Sequence, residues 1–479
     1  MEADSAMESR IVTDKTLGAP FYANPVRGAA HMMRASDGYY YAYDGEVANW
    51  TIHRSANGVQ WQSLGSKAYP EGTWGKKNFW VPEVIEDNGK FYMFYCARID
   101  ASAPTSRIGL AISDRPDGPF RDIGHPLFDG TEMENWHVID PNPFIDPDTG
   151  KKYLYFVKDG AIYAYFNIDL NKTIRESRIF GVELSADLMS VVGEPVELLR
   201  PSQPWEYKSH LEDRKDQLWI EAPEMLKKDG TFYLMYSANL YTTANYAIGY
   251  ASSKNPLGPF VKYDKNPVVG SVGAIRKAGH NSIIRSPDGT EYFTSFTTLN
   301  DGRYMGRIGF RADDTLYVNG PIKRNLVMPS GTHDYANVAA RAKVTASSTE
   351  RSYRPEAVID GEIGIYERFE AYEWRSDGEK SGAWIELQWD DSHQAEYILL
   401  YDSAVPSRKI REGRLLLNGP SGETIAGIRF PDGPGEPAML SFPGGKPLKS
   451  VRFVADRLAD PDGEAGMSEI IVLGKSGHN

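Results

Sequence analysis

The stretch WIEAPEMLKKDGTFYLMYS (Trp219–Ser237) contains two strand-like runs joined by Asp229-Gly230. Asp-Gly is a tight-turn dipeptide, and the aromatic, β-rich run that follows fits a pleated, buried surface. The pattern recurs. The turn and aromatic strand read DGYYYAY from Asp37, NGKFYMFY from Asn88, TGKKYLYF from Thr149, DGTFYLMY from Asp229 and DGTEYFTSF from Asp288. Further short strands follow, such as RIGLAIS (Arg107–Ser113) and AIGYAS (Ala247–Ser252), and two copies close alike with RPDGPF (Arg115–Phe120) and NPLGPF (Asn255–Phe260). Five copies at intervals of roughly 50 to 80 residues predict five four-stranded blades, each opened by the aromatic strand after the turn. No long helical period interrupts Asp37–Asn319, which excludes an α/β design. The chain is therefore expected to be all-β. A five-bladed β-propeller is expected over residues 22–330, after an N-terminal extension over 1–21.

Past Ser330–Asp334 the text changes. NVAARAKVTASST (Asn337–Thr349), PEAVIDGE (Pro355–Glu362), WRSDG (Trp374–Gly378) and GAWIELQW (Gly382–Trp389) follow in order. That order resembles the discoidin-like, factor 5/8 C-type fold, a jelly-roll β-sandwich and carbohydrate-binding-module-like domain, here over 335–475. The resemblance puts Asp360 and Gly361 in a calcium-loop-like region. It also offers Trp374, Arg375 and Trp384 as sugar contacts, against a competing role for tryptophan in the sandwich core.

Composition narrows the partners. The formal net charge of −12 excludes nucleic acid as the main partner, because a phosphate backbone requires a basic footprint. The single cysteine, Cys96, permits no intrachain disulfide. Met1–Leu17 lacks an apolar signal-peptide core, and no apolar run is long enough to span a bilayer. The expectation is a chain without membrane contact, leaning cytoplasmic, or secreted if a signal has been removed. The many aromatic rings serve β-rich cores, and some of them stack on sugars.

Glycosidic hydrolysis needs two carboxyl groups flanking the anomeric carbon. Asp140 in WHVIDPNPFIDPDTG and Glu221 in WIEAPEM stand at similar distances before an aromatic strand. Each has a nearby proline, and each is preceded by a tryptophan, Trp136 and Trp219. An acid beside apolar rings has its pKa raised by desolvation, as a general acid requires.

These segments, with FWVPEV (Phe79–Val84) and AGHNSII (Ala278–Ile284), resemble glycoside hydrolase family 43. The resemblance implies an inverting glycosidase in which Glu221 is the general acid and Asp140 modulates its pKa. Glu224, three residues on, is the competing acid. It also implies a general-base aspartate near the chain start, where NPVRGAAHMM places Ala29 instead. Three accounts fit Ala29: an engineered Asp→Ala knock-out, a natural protein using another carboxylate (Glu83, Glu132 or Glu134) or substrate assistance, and a non-catalytic glycan-binding protein. Loss of such a base lowers the rate by about 10²–10⁴-fold.

His31 is a candidate contact for a sugar hydroxyl, and Trp80, Trp136, Trp205 and Trp219 are candidate sugar platforms. The family pattern makes His280 an axial cation site and lets Arg303 or Arg307 reach Asp140. No cofactor is required for the chemistry, and Ca²⁺ enters only as a structural ion. The expected activity is α-L-arabinofuranosidase or exo-arabinanase, with β-xylosidase or exo-galactanase as the alternative. The partner is an oligosaccharide or polysaccharide. The long interval Asn167–Asp216 is a candidate wall favouring an exo mode.

Overall fold

The computed structural model describes residues 30–475 except 45–49, 59, 68, 101–104, 128–136, 160–163, 168–170, 214–215, 274, 299–301, 323–329, 332–333, 367–371 and 434. Contacts divide the chain into two compact units that meet in sequence between Met305 and Gly306.

The first unit carries blades one to four and the inner strands of blade five, whose outer part lies past Gly306. Blade one is His31–Arg34, Tyr40–Asp44, Trp50–Ser55 and Gln62–Lys67 in sequential antiparallel order. Blade two is Lys77–Asp87, Lys90–Arg98, Ser106–Ser113 and Arg121–Asp122. Blade three is His137–Ile145, Lys152–Asp159, Arg178–Leu184 and Val191–Leu199. Blade four is Ile220–Lys228, Thr231–Ala238, Ala247–Ser253 and Val261–Lys262. Blade five is Gly279–Arg285, Tyr292–Thr298, Gly302–Phe310 and Leu316–Ile322. The first strands touch in the cycle one, two, three, four, five, one, which closes the ring. Blades one and five are joined by Met32 N–H donating to Ser282 Oγ (2.9 Å) and Tyr40 Oη–H donating to the Arg285 carbonyl (2.7 Å).

One sequence expectation is corrected. The aromatic strands after the Gly turns do not open the blades. They are the second strands, and the acid-bearing segments before the turns are the innermost ones. The turn is a true hairpin: Asn88-Gly89 and Asp229-Gly230 have φ of 50° and 74°, and 48° and 73°, as a type I′ connection requires. The second strands lie between neighbours on both faces. Phe91–Ala97 and Thr231–Ala238 are buried throughout, so their apolar runs are nearly continuous rather than alternating.

Each of blades two to five breaks register at the same place in its first strand, next to Trp80/Glu83, Asp140, Glu221/Glu224 and Gly279/Asn281. The residues at the breaks, Val81, Asp140, Ala222 and His280, all have positive φ (42° to 52°). That conformation costs non-glycine residues energy and is found where a bulge re-aims side chains. The long interval Asn167–Asp216 includes the two outer strands of blade three. The rest includes a short strand, Lys172–Glu176, a 3-10 turn at Pro204–Tyr207 and one helical turn at Lys208–Leu211.

The C-terminal part of the second unit is a β-sandwich. Its two longest strands, Trp384–Asp402 and Ala438–Leu458, pair with each other and with Ile410–Gly419 and Gly466–Lys475. Breaks in their register let one strand serve both layers. The core between them holds Trp374, Ile385, Leu387, Ile398, Leu415, Leu417 and Phe453. Trp374 is fully buried and donates Nε1–H to the Ser348 carbonyl, so it packs the core and presents no face to a sugar.

Candidate active site

The bulges decide which side chains meet on the axis. In an unbroken strand, residues three apart face opposite ways. The break between Glu221 and Glu224 brings each of them against residues of blade three. They form two layers.

In the first layer, Asp140 Oδ2 accepts the Ala222 N–H (3.0 Å), and Glu221 Oε1 accepts the Tyr246 hydroxyl (2.8 Å). Burial raises the Glu221 carboxyl to about 8, and the negative charge of Asp140 adds to the shift, while Tyr246 opposes it. Burial also lifts Asp140, with the Ala222 N–H opposing. Asp159, at the end of the second strand of blade three, adds negative charge to both and is held by Gln217 Nε2 (2.5 Å). The pair thus sets one buried carboxyl, raised to about 8, against a second buried carboxyl whose negative charge adds to that shift. Asp159 was missed in the sequence because it lies beyond the aromatic run, with no motif of its own.

In the second layer, Asn142 donates its amide hydrogens to Glu83 Oε2 (2.8 Å) and Glu224 Oε2 (2.7 Å). Its Oδ1 accepts the Met225 N–H (3.0 Å). Glu224 Oε1 accepts the Ile283 N–H (2.7 Å). His31 is buried here. Nε2 bonds the Val84 carbonyl (3.0 Å) and Nδ1 lies 3.7 Å from Glu83 Oε2. Burial holds both carboxyls above their ordinary range, and Glu224 adds to the shift of Glu83. Glu83 is thus a buried carboxyl held by the Asn142 amide.

The remaining sequence candidates fall as follows. Ala29, Trp136, Glu132 and Glu134 lie outside the described residues. Trp80 and Trp219 are half-buried at the entry to the first strands of blades two and four. Trp205 packs in the core against Tyr236. Arg303 is buried, bonded to Ser295, and its charge acts on Glu83, Glu224, His31 and His280. Arg307 belongs to the second unit, where its charge acts on Tyr401. His280 is held by its N–H on Ser237 Oγ (2.8 Å). Burial and the Arg303 charge push its ring down to about 3. Among the described residues His280 joins no group of three His, Cys, Asp or Glu ligands. In the sandwich, burial raises Asp360 to about 6 and Glu469, beside it, well above its usual range. Two carboxylates at the Asp360–Gly361 loop suit an oxygen-seeking cation.

Residues 22–310 match the family described as Glycosyl hydrolases family 43. The chain belongs to that family. The match spans the five innermost strands and both carboxylates of the first layer. Residues 337–473 match a domain of unknown function, DUF7402. A thermostable family-43 glycoside hydrolase of known crystal structure is 36% identical, with a TM-score of 0.57, covering 65% of this chain and all of that one. A xylosidase/arabinosidase of Bacteroides ovatus is 31% identical over 212 residues, 41% of this chain and 59% of its own. A β-D-galactofuranosidase of Aspergillus niger is 30% identical over 189 residues, 39% of this chain and 45% of its own. The chain thus spans about half the length of these two relatives.

Proposed function

We propose that the chain has the frame of an inverting glycosidase that removes terminal sugars from a plant-type polysaccharide, with α-L-arabinofuranosyl units the preferred leaving sugar. The observation that carries this is the Glu221–Asp140 pair: a desolvated acid, held by Tyr246, against a carboxylate that keeps it protonated. In this reading Glu221 gives its proton to the glycosidic oxygen as the bond breaks. Asp140 lowers the proton's escape before that moment and stabilises the arrangement through the Ala222 N–H. Water attacks from the opposite face, where inverting enzymes place a base about 6.5–9.5 Å from the acid. The names of the relatives support furanoside substrates: arabinofuranosides and β-D-galactofuranosides share a five-membered ring presented in the same configuration. β-Xylosides are the alternative substrate. The Asp360–Glu469 pair is where we place a structural Ca²⁺.

Position 29 favours a second reading, a glycan-binding protein that does not cut. The two separate on one experiment. Ala29→Asp and the parent chain are assayed on aryl α-L-arabinofuranoside, β-D-xyloside and β-D-galactofuranoside. The hydrolase reading expects turnover in Ala29→Asp at least about 10²-fold above the parent, strongest on the arabinofuranoside. Silence in both, with arabinan oligosaccharide still bound, decides for the binder.

A further inference from the structure

The acid pair sits near the start of its strands: Asp140 is the fourth residue of His137–Ile145 and Glu221 the second of Ile220–Lys228. The starts of first strands and the ends of second strands therefore share the catalytic face. Between blades two and three this face gathers cations. Lys76 and Lys77 enter the first strand of blade two, Arg98 ends its second strand, Arg107 lies at the start of its third, and His137 opens blade three. The cluster runs against a chain whose net charge is −12. Lys77 and Arg98 are opposed in register, so their side chains share a face, and like charges so placed repel. Among the described residues, Lys76, Lys77 and Arg98 make no ion pair and no side-chain hydrogen bond. Arg98 Nε and His137 Nδ1 are both buried atoms without a hydrogen-bond partner, a costly state for a polar group. The charges that act on the His137 ring are those of Arg98 and Arg107, which ties the three together across the gap between blades. Arg107 is already engaged, with Nη1 donating to the Ser106 carbonyl (3.0 Å), and contributes its charge.

We propose that this corner binds the carboxylate of an acidic sugar, so that the chain takes a uronate-bearing oligosaccharide in preference to a wholly neutral one. The proposal rests on the glycosidase reading and adds a feature of its substrate. The guanidinium of Arg98 is a planar fork that matches a carboxylate with two parallel hydrogen bonds. A carboxylate there gives Arg98 and His137 the partner that the described residues do not supply, and relieves the repulsion between Lys77 and Arg98. Three residues of strand put His137 about 10 Å from Asp140, so the acidic sugar lies beside the sugar that is cleaved and not in its place. The carboxyl groups of Asp140, Glu221 and Asp159 repel an anion from the cleavage position itself. A sulfate ester offers the same charge without the planar shape, and the test separates the two.

The test is binding to the full chain, independent of turnover. Three xylo-oligosaccharides of equal length are titrated by calorimetry at low salt. One carries a glucuronosyl side group, one has that carboxyl reduced to the alcohol, and one bears a sulfate ester on the reduced group. The uronate form is expected to bind about 10-fold or more tighter than the reduced form. That advantage should shrink as salt is raised. It should vanish in Arg98→Gln and survive in part in Arg98→Lys, which keeps the charge without the fork. The preference of the unaltered chain needs no variant to fold. Equal affinity for the uronate and reduced forms overturns the site, as does a preference unchanged in Arg98→Gln, tightest binding of the sulfate form, or binding of none of the three. Aryl arabinofuranoside carries no carboxylate, so its turnover by Ala29→Asp tests the hydrolase reading separately from the uronate site.

Discussion

At the scale of residues, Glu221 is governed by three neighbours whose effects have opposite signs. Asp140 and Asp159 raise its pKa and the Tyr246 hydroxyl lowers it. In its proposed role of proton donor Glu221 must be protonated, so activity in an Ala29→Asp background should fall as pH rises through about 8. Asp159→Asn should move that basic limb to lower pH, and Tyr246→Phe should move it higher. A pH–rate profile unchanged in both variants would remove Glu221 from the role. The same shift predicts stability. A carboxyl raised from 4.5 to about 8 by folding binds more protons in the folded state. Stability from this group is therefore full below the unfolded pKa and is lost as pH rises to about 8. Glu221→Gln should gain Tm relative to the parent on going from pH 5 to pH 8.5, and an equal Tm difference at both values would contradict the desolvation. Asp140 and Glu221 were legible in the sequence because each stands before a proline and a Gly turn. The second layer was not, because its members come from three blades and no local period links them. A signal did exist: Pro82-Glu83, Pro141-Asn142 and Pro223-Glu224 occupy the same step of three repeats.

At the scale of elements, the bulge does the positioning. It flips the alternation of the innermost strand and so turns both Glu221 and Glu224 towards blade three, one in each layer. Aromatic runs and turn dipeptides revealed that hairpins exist, but the strand before each turn lacks a clean period because the bulge interrupts it. The bulges depend on close backbone approach. A Cβ on Gly279, beside the blade-five bulge, would lie 1.9 Å from the Tyr246 ring. Gly279→Ala should therefore displace the phenol that holds Glu221, lowering kcat in the Ala29→Asp background by at least tenfold. Unchanged kcat would show that Tyr246 does not position the acid. Ring closure is a second element-scale feature. Tyr40→Phe removes one buried hydrogen bond between blades one and five, costing about 1 kcal/mol and about 2–4 °C in Tm, measured by differential scanning calorimetry.

At the scale of the whole molecule, the five repeats and the change of text near residue 330 revealed the propeller and the sandwich. The contacts divide the chain earlier, at Met305/Gly306. The reason lies within the second unit. Arg311, just after the third strand of blade five, forms a two-pronged, buried ion pair with Glu362 (2.8 and 2.5 Å), and Asn319 bonds Gly361 and Ile363. These partners sit more than forty residues apart in sequence and belong to no motif, so the coupling was invisible before folding. Removing one partner of a buried pair costs about 3–5 kcal/mol. Glu362→Gln should lower Tm, and a chain ending at residue 330 should be less stable than the full one. Equal melting of the full and shortened chains would mean that the sandwich gives the last blade no support.

The central claim is that Glu221 and Asp140 form a working acid–modulator pair awaiting a base. The most direct measurement is the turnover of aryl α-L-arabinofuranoside by Ala29→Asp, compared with Ala29→Asp combined with Glu221→Gln or with Asp140→Asn. The account predicts measurable turnover in the single variant and a loss of at least about 10²-fold on adding either second change. No turnover in Ala29→Asp, or turnover indifferent to Glu221→Gln, would contradict it.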